Sequence, residues 1–179
     1  PEARTVKRAE GEIDVYGRIE GYDISHISGT SQVASMVVFQ NGAPAKAQYR
    51  KFKIKTVEGS NDVGSLQEVL TRRLKHDEWP LPQLFLIDGG KPQVHAVEEI
   101  MRQNGVIVPV VGMAKGPERK RTDLICSDLN PSLCQLLEPH IDLFTQVRDE
   151  SHRFAITFHR KVRSEAFVGK KSPAKKKRK

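Results

Sequence analysis

The sequence predicts a mixed α/β sheet with helices against its faces, built as three antiparallel strands in series followed by a β-α-β unit. Three observations carry this expectation. An Asn41-Gly42 step stands between two stretches rich in Val, Phe, Tyr and Ile, which marks a tight hairpin. The run from Leu84 to Ile87 is apolar at every position, as suits a strand covered on both faces. Elsewhere apolar residues recur at helical spacing.

Taken in order, residues 1–17 are mixed and charged without a steady period and read as a lead-in segment. RIEGYDISH from Arg18, VASMVVF at 33–39 and KAQYRKFKIK at 46–55 supply the three strands. A polar stretch containing Gly59 leads to SLQEVLTRRLKH, whose Leu66, Val69, Leu70 and Leu74 share a helical face, with Ser60 or Asn61 as its cap. The strand at 84–87 ends in Asp88-Gly89-Gly90. PQVHAVEEIMRQNG follows as a helix with the stripe Val94, Val97, Ile100 and Met101, stopped by Gly105. IVPVVGMA at 107–114 is a further strand and KGPERKRTD a polar loop. Residues 131–163 read as helix in two pieces broken at Pro139. Residues 164–179 are too basic and too poor in apolar side chains to pack, and are expected to form a disordered tail.

The formal charge of +8 comes from the C-terminal end of the chain. From Arg160 onward ten Lys and Arg face the single Glu165, whereas the preceding residues carry 20 basic and 21 acidic side chains. The body is neutral, so overall charge does not explain its function. Its apolar runs all fall short of the roughly eighteen residues of a membrane span, and no secretory leader is visible. The chain opens at Pro1 instead of Met, which reads as a fragment or a processed form. Cys126 and Cys134 match neither a disulfide scaffold nor a zinc site, so a reducing, cytoplasmic setting is expected.

Three carboxylates stand where packing alone would not place them. Asp23 interrupts the first strand, Asp88 ends the buried run, and Asp62 opens the helix after the meander. Asp62 also serves simply as a helix-start residue, and Asp88 as a turn former. Should the first strand neighbour the strand ending at Asp88, the two carboxylates would converge on the carboxyl edge of the sheet, where such folds hold ligands. Oxygen donors of this kind suit Mg²⁺ or Mn²⁺, which can support in-line displacement at a phosphodiester. On a helix over 148–163, Arg148, His152, His159 and Arg163 fall on one stripe. It is either a solvated face or a phosphate-facing one, and His152 has the acid-base chemistry for a metal ligand or proton donor.

The segments YDISHISGTSQVASMVVFQNG, YRKFKIK, LQEVLTRR, FLIDGGKPQ, VVGMAKG and RDESHRFAITFHRKVR, in this order, closely resemble the C-terminal endonuclease domain of the UvrC family. The resemblance covers roughly residues 18–163 and implies a ribonuclease H-like fold. It implies that Asp23 and Asp88 bind a catalytic divalent metal, that His152 completes the triad, and that Asp62 takes part in incision. The implied reaction is hydrolysis of the damaged DNA strand on the 5′ side of a lesion, leaving a 3′ hydroxyl, in nucleotide excision repair. The implied partners are damaged double-stranded DNA and, in the full-length context, the UvrB–DNA complex, with the domain acting as a monomer away from membranes.

Lys91, Lys115, Arg148, Arg153, His159, Arg160, Lys161 and Arg163 are the candidates for holding the DNA backbone. Lys91 has the best case because it begins a helix directly after Asp88. Two other readings remain. One is a non-catalytic nucleic-acid-binding module on the same fold, resting on the tail and the Arg and His stripe. The other is a nucleotide-binding protein using Gly89-Gly90-Lys91 as a phosphate cradle, although the loop lacks the spacing of a P-loop.

Overall fold

A computed structural model of the chain describes residues 4–5, 13–27, 31–57, 59, 61–115, 122–126 and 132–168, with Thr5, Ile27, Ser31, Lys115 and the last eleven described by their backbone path. Its elements in chain order are β1 (Arg4–Thr5), β2 (Ile19–Ile27), β3 (Ser31–Gln40), β4 (Ala43–Pro44), β5 (Arg50–Lys53), α1 (Asp62–Arg73), β6 (Leu84–Asp88), α2 (Lys91–Gln103), β7 (Val106–Ile107), β8 (Val110–Lys115), β9 (Thr122–Cys126), α3 (Ser132–Leu137) and α4 (Ile141–Val168). The main sheet runs β4-β3-β2-β6-β8-β9, with β5 also pairing β3.

The meander forms because Asn41 and Gly42 both take positive φ, 54° and 72°, so that Gln40 faces Ala43 across a two-residue turn. β2 pairs antiparallel with β3 on one side and parallel with β6 on the other. β6 in turn pairs parallel with β8. That central position explains the continuous apolar run, since Leu84, Phe85, Leu86 and Ile87 are all buried. Side chains alternate between the two faces. Tyr22, Phe85 and Ile87 join the cluster with Leu66, Leu70, Val94 and Val97 of α1 and α2. Ile19, Leu84, Leu86 and Met113 join the opposite cluster with Phe144 and Val147 of α4.

Caps and turns follow local chemistry. The Asn61 side chain accepts from the Gly64 amide at 2.9 Å and caps α1; Ser60 lies outside the described residues. Gly105, with φ 62°, closes the turn after α2. On the α1 face a charged group is buried with its partners: the Glu20 carboxylate accepts from Arg18 and Arg73 at 2.8 Å each and from the Tyr22 hydroxyl at 2.7 Å. These bonds satisfy the buried ions, whose separation would be costly.

Within the lead-in, Arg4–Thr5 pairs with Val106–Ile107, Arg4 bonds the Leu74 carbonyl at 3.0 Å, and Val15 is buried. Several expectations need correction. The third strand begins only at Arg50, because Lys46–Gln48 forms a 3-10 turn. The strand expected over 107–114 is split into β7 and β8. Between them Pro109, which has no amide hydrogen, contributes its carbonyl to the Phe85 amide. Thr122–Cys126 adds an antiparallel edge strand where a loop was expected to extend through Asp123. Cys126 and Cys134, given no pairing by spacing, are joined as a disulfide between β9 and α3, so the cysteines do not support the reducing setting expected from them. α4 continues to Val168, past the residue where the tail was set to begin, and residues 169–179 lie outside the described residues.

α4 approaches β2 closely because Gly21 has no side chain. A Cβ there would lie 2.5 Å from Val147 Cγ1 and 3.1 Å from Val37 Cγ2. Gly21→Ala is therefore expected to lower stability by about 1–3 kcal/mol, read by urea denaturation; an unchanged midpoint would contradict this packing.

Candidate active site at the carboxyl edge of the sheet

Parallel pairing places the first two candidates side by side. Tyr22 is opposite Ile87, so the next residues along the two strands, Asp23 and Asp88, share the α4 face by alternation. Met113, opposite Asp88, belongs to the α4-side cluster and confirms that orientation. Asp23 is 7% exposed, whereas Asp88 is exposed. The Ser25 hydroxyl donates to Asp23 Oδ2 at 2.8 Å.

Burial pushes the Asp23 carboxyl above its ordinary range, and the neighbouring negative charge of Asp88, with a smaller one from Asp62, pushes the same way. The Ser25 hydrogen bond and His152 oppose it. The net effect is a carboxylate that desolvation and like charge make costly to ionise.

His152 reaches this pair from α4, with Nδ1 3.8 Å from Asp23 Oδ2. Its place is set by the residues beside it. The buried Ser35 hydroxyl on β3 donates to the Ser151 carbonyl at 2.9 Å, and Val147 seats the helix over Gly21. The imidazole itself is exposed, so it faces the solvent side of the rim.

Asp62 stands at the same rim but engages differently. It opens α1, and its Oδ1 lies 3.0 Å from His26 Nε2. Gln32 Nε2 lies 3.3 Å from the other His26 nitrogen. His26 shares its face with Tyr22 by alternation, so Asp62 meets the site around the strand end instead of from the α4 side. The His26 contact was not anticipated: it joins residues 36 apart in the chain, and spacing within one segment carries no signal for it.

The donor set of two carboxylates and an imidazole suits a hard divalent cation, and the raised Asp23 pKa marks a site that positive charge would relieve. Among the described residues no three His, Cys, Asp or Glu side chains are drawn into a ready-made metal cage. The fit therefore rests on shared face, donor type and mutual repulsion.

The basic candidates divide. Lys91 is exposed at the start of α2, next to the Asp88 turn. Arg148 binds Thr122 Oγ1 at 2.9 Å and Asp149 at 2.7 Å, and Arg153 binds Glu150 at 2.6 Å. Both guanidinium groups are thus engaged within the fold. The side chains of Lys115, His159, Arg160, Lys161 and Arg163 lie outside the described residues.

Comparison with known proteins points to one family. The model of the UvrC RNase H endonuclease domain matches residues 11–156. UvrABC system protein C of Prosthecochloris aestuarii is 43% identical over 154 residues, covering 84% of this chain and 24% of the relative. The protein of the same name from Bdellovibrio bacteriovorus is 44% identical over 160 residues, covering 82% and 25%. The chain thus spans about a quarter of the length of the curated relatives it matches. Among solved structures, endonuclease V of Ciona intestinalis in complex with inosine-containing DNA is similar over 60% of this chain and 49% of that one, at 18% identity and a TM-score of 0.46. Argonaute of A. aeolicus is similar over 63% and 17%, at 15% identity and 0.41. With most of its length covered by the family model, and with a mixed sheet carrying helices on both faces, the chain has the ribonuclease H-like fold and belongs to the UvrC RNase H endonuclease domain family.

Proposed function

We propose that the chain is a divalent-metal-dependent DNA endonuclease domain that makes the 5′ incision of nucleotide excision repair. The observation that carries the reading is the approach of Asp23, Asp88 and His152 on one face of the sheet rim. The substrate is damaged double-stranded DNA, and in a full-length protein the relevant partner is the UvrB–DNA complex, with cytoplasmic placement and a monomeric domain. Among the described residues no helix is long and apolar enough to cross a membrane.

Asp23, Asp88 and His152 are the residues that would hold Mg²⁺ or Mn²⁺. Bound there, the ion supplies Lewis-acid polarisation of the phosphodiester and a lowered pKa for a bound water. The chain's own contribution is to position and to move protons. Asp23 is held by Ser25 and by its buried setting, so it offers a fixed carboxylate. Asp88, exposed at the strand end, offers the second carboxylate on the same face. His152 presents its imidazole outward at the rim, where it would complete the ion's ligands or, left unbound, hand a proton to the leaving oxygen. Asp62, held by His26, adds negative charge beside this group without sharing its face.

The alternative, a non-catalytic nucleic-acid-binding module, draws its support from the basic residues beyond Arg160. The two readings part on cleavage. Incubation with supercoiled plasmid DNA and Mg²⁺ or Mn²⁺ is expected to give nicks with 3′ hydroxyl ends, abolished by EDTA. His152→Ala is expected to lower the rate by about 10²–10⁴-fold. Nicking that survives EDTA and Asp23→Ala would overturn the assignment, and binding without any nicking would favour the module.

The electrostatics of Asp23 give an independent check. Its folded-state pKa is raised, so ionisation penalises the fold as pH rises through the interval between the ordinary aspartate value and the raised one. The penalty is complete above that interval and absent below it. Asp23→Asn is therefore expected to raise the melting temperature at neutral pH in metal-free buffer, with the gain shrinking as pH falls toward 4. A variant less stable than the parent at neutral pH would contradict the like-charge picture.

A further inference from the structure

The outer strand β5 presents basic side chains in register with the site. Residues 46–55 contain Lys46, Arg50, Lys51, Lys53 and Lys55 and no acidic residue. Ser35 pairs with Asp23 on one side and with Lys51 on the other. Val33 likewise pairs with Ser25 and with Lys53. Residues opposite one another share a face, so Lys51 and Lys53 lie on the α4 face with Asp23. Two strand spacings separate them from it, about 10 Å.

The side chains support this placement. The Lys51 ammonium sits 4.3 Å from the centre of the Phe154 ring, two residues beyond His152 on α4. Lys53 is exposed. The nearby carboxylate of Glu150 is engaged by the Tyr49 hydroxyl at 3.0 Å and by Arg153 at 2.6 Å. Arg50 belongs to the other face, 5.1 Å from the Trp79 ring. Lysines on an edge strand also protect against edge-to-edge pairing, but that role does not require them on the face that carries the carboxylates.

We propose that Lys51 and Lys53 form a phosphate-binding track for the DNA strand held at the Asp23–Asp88 rim. The inference rests on the endonuclease reading and extends it to a named binding surface. Lys51 and Lys53 stand about 10 Å from Asp23, so the track grips phosphates within a few nucleotides of the bond to be cut. Such contacts fix register without reading base sequence.

The test uses the full chain carrying Asp23→Asn, to prevent cutting, and a fluorescein-labelled duplex titrated at several salt concentrations. In that background, Lys53→Gln and the Lys51→Gln/Lys53→Gln pair are compared with Lys75→Gln, an exposed lysine beyond α1. Each lost phosphate contact is expected to reduce the slope of log affinity against log salt by about 0.9, uniformly across DNA sequences, while Lys75→Gln leaves it unchanged. Because Lys51 packs on Phe154, the Lys53→Gln variant carries the test without altering that contact. With Asp23 intact, KM for nicking is expected to rise while the single-turnover rate at saturating DNA holds. Unchanged slope and affinity in Lys53→Gln and in the pair, or no binding of duplex by the parent chain, would overturn the track. Normal nicking with an unaffected slope would remove the track and leave the nuclease. Loss of affinity in the lysine variants of a chain that never nicks would remove the nuclease and leave the track.

Discussion

The parallel pairing of β2 with β6 is the constraint on which the site depends, because it sets Asp23 beside Asp88 at the same end and on the same face of the sheet. Asp23 is not well placed for stability alone: it is buried, and the charge of Asp88 adds to the cost of ionising it. Register makes the arrangement sharp. A slip of one residue in β2 would send Asp23 to the α1 face and bring Tyr22 under α4. The alternating burial of Ile19, Tyr22, Leu86 and Ile87 between two separate apolar clusters opposes that slip.

The third member is placed by a different element under different forces. α4 crosses β2 and β3 where Gly21 leaves room for Val147, and the Ser35 hydroxyl fastens the Ser151 carbonyl. His152 follows directly and stays at the solvent boundary. The proposed site thus joins two carboxylates at neighbouring strand ends to an exposed imidazole. The Glu20, Arg18 and Arg73 group on the opposite face is the structural counterpart, a buried charge whose partners are all supplied within the fold.

Much of this was legible in the amino-acid order. Asp23 and Asp88 announced themselves because a carboxylate inside or ending an apolar strand is costly unless it has a purpose, and Asn41-Gly42 specified its turn. Other features were hidden for physical reasons. β9 follows a strongly basic stretch and is only partly buried, so it lacks an apolar run. The division of 107–114 depends on β1 pairing with β7, a contact between distant segments. The His26–Asp62 contact likewise exists only after folding. Arg148, on the helical stripe, and Arg153, a candidate for holding the DNA backbone, looked available, yet neighbours on the same helix and Thr122 engage them. Lys51 and Lys53 did carry a signal, a basic residue at alternate positions of a strand, but only the register showed which face they share.

The central claim is that Asp23 and Asp88 gather around a divalent cation with His152. Anomalous scattering from a crystal of the chain soaked in Mn²⁺ addresses it most directly. A peak is expected between the two carboxylates, within about 2.2 Å of an oxygen from each, and within reach of the His152 ring. Mn²⁺ bound elsewhere, or side chains of Asp23 and Asp88 left apart under conditions that support nicking, would contradict it.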